Sequence, residues 1–231
     1  LREAMPDRTV RVVAYFRNVY SFIESSYAQF LKGGLLGIPK HKFFSGPEPR
    51  LKRFMNQFEK ARGFPLYSTL GYAQHLKFWF PKGSLTLRSI EAADLPSGDM
   101  IQDLCALLDV PFQGSMASRN TRLSNRKVAE LEFIQTVVGQ KAYSQLRQDL
   151  LNTDLSTDPS SDNGRYATLH IDRQLHEKIA ATVAVEQSEL AALFDTDVGA
   201  ITEDRWNREK RSSTLSPEDR QALAEFADKY R

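Results

Sequence analysis

Between Thr9 and Phe30 the hydrophobic pattern changes period once. Val10, Val12, Val13, Ala14, Tyr15 and Phe16 form a β-branched and aromatic run broken only by Arg11, the pattern of a parallel strand covered on both faces. Val19, Phe22, Ile23, Tyr27 and Phe30 then recur at three- and four-residue spacing, which predicts an amphipathic helix returning along the sheet. Arg17 and Asn18 fall in the turn between the two, so Arg17 sits at the carboxyl end of a strand. Gly33, Gly34, Gly37 and Pro39 stop the helix, since glycine tolerates the left-handed backbone of a helix end and proline cannot continue the helix.

Further along, Leu51, Phe54, Met55 and Phe58 predict a short helix, ended by Gly63-Phe64-Pro65. Another helix begins near Ser68 and runs through YSTLGYAQHLKFWF to Pro81. Leu85, Leu87 and Ile90 mark a second short strand, followed by a helix carrying Ile101, Leu104, Cys105, Leu107 and Leu108 on its apolar side. Two strands separated by helices within one sheet should be parallel. The expected fold class is therefore α/β, a small parallel sheet flanked by many helices, with a helix-rich C-terminal half. The segment QGSMASRNTRLSNRK breaks the periodicity, and Ser124 stands where it would cap a helix built on Val128, Leu131, Ile134 and Val138. Tyr143, Leu146 and Leu150 continue it beyond Gly139, and LSTDPSSDNGRYATL reads as an exposed connection. Leu175, Ile179, Val183, Leu190 and Leu193 form the buried side of a long helix. Ser216 and Pro217 open a last one in a strongly charged stretch. The expected organisation is one domain over 1–200, incomplete at its N-terminus, and a peripheral charged helical extension over 201–231.

Charge narrows the partners. Lys+Arg 31 against Asp+Glu 29 leaves a formal +2, too balanced to indicate a nucleic-acid surface. Any anion site must be local. The single cysteine, Cys105, lies in the apolar context DLCALLDV and reads as a small buried hydrophobe. His75 has no second histidine at ligand spacing, so no metal is expected. No run of about 18 apolar residues would span a membrane, and LREAMPDR lacks the apolar run of a signal peptide. The expectation is a cytoplasmic protein. The chain opens without methionine and soon enters its first strand, so a fragment of a longer protein is one reading.

In open α/β sheets ligands bind outside the carboxyl ends of strands, where helix N-termini favour anions. Arg17 there, with Ser25 eight residues on in the form YFRN then SSY, resembles the 3′-phosphate-binding element of sulfotransferases that use 3′-phosphoadenosine-5′-phosphosulfate (PAPS). The succession YAQHLKFW, LTLRSIE and DMIQDLCALLDVP is similar to that family's helix ending near Trp, strand reaching Arg and Glu, and helix ending in a leucine-rich turn. Asp109 here replaces the common glycine before Val110-Pro111. The resemblance runs from Val10 to Phe194 and implies a P-loop-type three-layer fold. It implies PAPS as co-substrate, PAP (3′-phosphoadenosine-5′-phosphate) as product, no metal, and a hydroxyl or amine acceptor. Arg17 and Ser25 would grip the 3′-phosphate, with Arg119, Asn120 and Arg122 as second contacts. The family's loop for the 5′-phosphosulfate is not found: GGLLGIPKHK contains glycine and lysine but follows a helix rather than a buried strand. No catalytic base is assignable. Two functions stay open: a sulfuryl transferase, or a non-catalytic nucleotide- or partner-binding protein on the same scaffold.

Overall fold

A computed structural model describes residues 11–33, 50–80, 85–91, 94–95, 98–112, 123–138, 140–153, 171–193, 199–205 and 215–230. Arg119, Asn120 and Arg122 lie outside them. The chain forms two compact units. The first takes the described residues of Leu1–Phe22, Tyr67–Ser118 and Arg173–Arg205; the second takes those of Ile23–Leu66, Arg119–Asp172 and Trp206–Arg231.

In the first unit, β1 (Val12–Phe16) and β2 (Leu85–Ser89) pair in parallel, in register from Val12 opposite Leu85 to Phe16 opposite Ser89. This is the pairing expected for strands separated by helices. The Ile90 N–H extends it by donating to the Phe16 carbonyl at 2.7 Å. Full burial of β1 is not observed: each of its residues is half-buried. Among the described residues the sheet has only these two strands, so β1 has a neighbouring strand on one edge alone.

Helix α3 (Thr69–Trp79) packs on α7 (Arg173–Ala191) in the same unit. Ala73, Leu87, Leu190 and Ile201 form the core there, with Ala14, Phe16 and Leu70 packed against them. The start of α3 is held twice. Ser68 accepts from the Gly71 N–H, the usual cap geometry, and donates its hydroxyl to Glu186 of α7 at 2.5 Å. The other Glu186 oxygen accepts from the Leu70 N–H at 3.1 Å. A buried carboxylate thus meets the positive end of a helix and the helix's unpaired N–H groups.

Helix α4 (Met100–Leu107) begins at Asp99, which accepts from the Ile101 and Gln102 N–H groups. Its buried position is not an apolar one. Asp103 is 2% exposed, whereas Cys105 is only half-buried and Leu108 is 54% exposed. Asp103 receives Arg88 Nη2 at 2.7 Å and the Tyr15 hydroxyl at 2.6 Å, and Arg88 Nε lies 2.7 Å away as part of the ion pair. Tyr15 and Arg88 are register partners on β1 and β2, so one carboxylate ties α4 across both strands. Burial, then Asp103, pushes the Tyr15 hydroxyl up to about 12.

In the second unit, α1 (Val19–Gly33) from Ile23 onward packs on α2 (Arg50–Arg62) through aromatic contacts. The Phe30 and Phe54 rings are 4.9 Å apart and those of Tyr27 and Phe54 5.6 Å. Leu51, Phe54, Met55 and Phe58 are all buried, as their spacing requires, and Gly63 closes α2 at φ 82°, where glycine alone is unstrained. Ser124 caps α5 (Asn125–Val137), and α6 (Gln140–Asn152) follows. Ser216 and Asp219 form a capping box at the start of α9 (Pro217–Asp228). Asp219 also pairs with buried Arg126 at 2.5 Å, and Arg126 reaches Glu130 at 3.0 Å. Leu223 and Ala227 are buried, so α9 is a packed member of this unit. Lys127 closes α6 by donating to the carbonyls of Leu150 and Thr153.

Candidate functional site

The carboxyl ends of β1 and β2 carry a polar network built around Asn18. This residue is 0% exposed and begins α1: its side-chain oxygen accepts from the Tyr20 N–H at 3.1 Å, and its carbonyl accepts from the Phe22 N–H at 2.8 Å. An asparagine in this position satisfies N–H groups that the helix cannot. The Asn18 backbone N–H donates to Glu91 at 2.9 Å, just beyond β2, and its side-chain N–H donates to the Glu203 carbonyl at 3.0 Å, just beyond α8 (Gly199–Thr202). Glu91 in turn receives Arg205 at 2.9 Å, and Arg205 reaches Glu203 at 2.9 Å. Hydrogen bonds from Arg205 to Glu203 and to Glu91 drive its guanidinium further toward the charged form.

Arg17 stands directly before this anchored residue, exposed at the end of β1. Among the described residues no hydrogen bond or ion pair holds its guanidinium. The backbone on its C-terminal side is fixed by the hydrogen bonds of Asn18 while its side chain is presented to solvent. A planar, permanently charged fork on a rigid turn suits a phosphate or another oxyanion.

Comparison with family models, curated proteins and solved structures finds no match. Function must therefore be argued from the residues.

Ser25 is half-buried on α1 and belongs to the second unit, whereas Arg17 belongs to the first. Among the described residues no group of three or more His, Cys, Asp or Glu side chains is placed to hold a metal ion. A second polar group in the first unit joins His176 to Asp204 at 2.9 Å, with the Tyr20 ring stacked on His176 at 6.2 Å. Burial, and then Asp204, pushes the Tyr20 hydroxyl well above its ordinary pKa. Asn18 carried a sequence signal, a capping residue type ahead of an apolar period. The roles of Glu91, Glu203, Arg205, His176 and Asp204 did not, because the contacts that join them to Asn18, to Glu91 or to one another mostly come from elsewhere in the chain.

One titratable cluster lies in the second unit. Tyr27 donates to Glu132 at 2.5 Å. Burial raises the Glu132 pKa despite Tyr27 and Arg50, which act to lower it. In the window between its unfolded value, about 4.3, and its raised folded value, the folded chain holds more protons than the unfolded one. Stability therefore falls as pH rises through that window. Glu132→Gln keeps an acceptor for Tyr27 and removes this dependence, so the variant should gain on the parent as pH rises. Denaturant unfolding of both from about pH 4 to about pH 8 measures the difference. A constant difference would show that the Glu132 carboxyl titrates as it does in water.

Proposed function

We propose that this chain binds a nucleotide bearing a 3′-phosphate and serves as a PAPS-dependent sulfuryl transferase acting on a hydroxyl or amine acceptor in the cytoplasm. The observation that carries the reading is Arg17: an exposed guanidinium with no partner among the described residues, at the carboxyl end of a strand in a parallel pair, directly before the capped start of a helix. The resemblance of YFRN and SSY to a 3′-phosphate-binding element adds Ser25 as a hydroxyl donor, with Arg119, Asn120 and Arg122 as further contacts. In the reaction, the acceptor oxygen or nitrogen bonds to sulfur while the bond from sulfur to the 5′-phosphate oxygen breaks. The acceptor loses its proton and PAP departs. Positioning and charge stabilisation would supply the catalysis.

The test is calorimetric titration of the chain with PAP and with adenosine-5′-phosphate at fixed salt. Tighter binding of PAP is expected. Equal affinity for the two would remove the 3′-phosphate from the site and the proposal with it.

A further inference from the structure

The second unit contains a concavity of about 330 Å³ lined by residues from the start of α2, one face of α5 and the start of α9. That volume is in the range of small-molecule sites, about 300 to 1,000 Å³. Its wall has two chemical parts. Arg50 and Arg220 contribute guanidinium groups; Ala129, Phe133 and Leu215 contribute apolar surface. Glu132 also lines it, with its carboxyl already engaged by Tyr27.

The charge balance of this wall favours an anion. Two permanent cations face one carboxylate, and burial works against the charged form of that carboxylate. Burial lowers the Arg50 pKa, and the Arg53 charge acts the same way against Tyr27 and Glu132, so a further negative group beside Arg50 would favour its charged form. Guanidinium forks take carboxylate, phosphate and sulfate oxygens in the same two-pronged manner. Phe133, with Ala129 and Leu215 beside it, would give the apolar body of such a ligand a surface to pack against.

We propose that this concavity binds a small organic oxyanion with an aromatic body, its head group between Arg50 and Arg220 and its ring against Phe133. The site is built from residues of the second unit alone and does not depend on the 3′-phosphate reading.

The experiment is titration of the full chain, at constant low ionic strength, with phenyl phosphate, benzoate, inorganic phosphate and benzyl alcohol. At least one of the two aromatic anions should saturate at one equivalent, and which of them binds tighter identifies the head group. Inorganic phosphate should bind about tenfold more weakly and benzyl alcohol more weakly still, because each lacks one half of the recognition. Arg220 is exposed on α9, so Arg220→Gln should leave the unfolding midpoint unchanged while weakening the aromatic anion about tenfold. Arg17→Ala should leave that affinity intact. No saturable binding of either aromatic anion, equal affinity for inorganic phosphate, or unchanged affinity in Arg220→Gln would each overturn the site. Loss of binding in Arg17→Ala alone would assign the anion to the strand end instead and overturn it as well.

Discussion

Asp103→Ala is expected to destabilise the first unit by roughly 3 to 5 kcal/mol, the usual result of removing one partner of a buried ion pair. Asp103 is 2% exposed and the Arg88 side chain 14%. Without the carboxylate, Arg88 stays in place with its charge uncompensated and the Tyr15 hydroxyl loses its acceptor, while α4 loses its tie to both strands. Asp103→Asn keeps shape and one acceptor and should cost less. It should also bring the Tyr15 hydroxyl part of the way down from about 12, since burial is the larger cause of the rise and Asp103 the next; the difference between the ultraviolet titrations of variant and parent, which share the same 8 tyrosines, reads this. Replacing both partners, Asp103→Leu with Arg88→Met, should recover most of the lost stability, because no charge is then left buried. Denaturant unfolding of the two single variants and the double variant closes a cycle that isolates the pair. A loss below about 1 kcal/mol in Asp103→Ala would mean that the bridge behaves as a solvated surface pair.

Arg17→Ala should weaken PAP binding by about one to two powers of ten, since a charge-assisted bond to phosphate contributes roughly 1.5 to 3 kcal/mol. Arg17→Lys keeps the charge without the planar fork and should regain only part of the affinity. Ser25→Ala should lose less than Arg17→Ala, because a hydroxyl offers a neutral donor. The folded state should be almost indifferent to Arg17→Ala, as the exposed side chain holds no partner among the described residues. That separates a binding effect from unfolding. Unchanged PAP affinity in Arg17→Ala would leave the strand end without a nucleotide role, whatever its geometry.

Helices and strands were legible where a signal and its consequence are neighbours in the chain. Ser68, Ser124 and Ser216 stand directly before the helices that they cap. The four apolar residues of α2 are all buried. Two strands separated by helices pair in parallel. The caps and the buried face follow from backbone geometry over a few residues, and the parallel pairing from the order of strands and helices along the chain, so the amino-acid order carries them, and the position of Arg17 at a strand end with them.

Only the tertiary structure decided which polar residues are buried and what they meet. The period of α4 pointed to an apolar inner face, yet its buried residue is Asp103, made tolerable by Arg88 and Tyr15. Glu186 closes α3 from 118 residues away through Ser68, and Asn18 reaches the Glu203 carbonyl 185 residues on. A charged C-terminal stretch, read from its composition as a peripheral extension, supplies Asp219 to buried Arg126. Hydrophobic burial is non-directional and leaves a periodic signature in the chain. A buried charge is stable only when a specific partner arrives at hydrogen-bond distance, and that arrival is a property of the packed chain rather than of any segment.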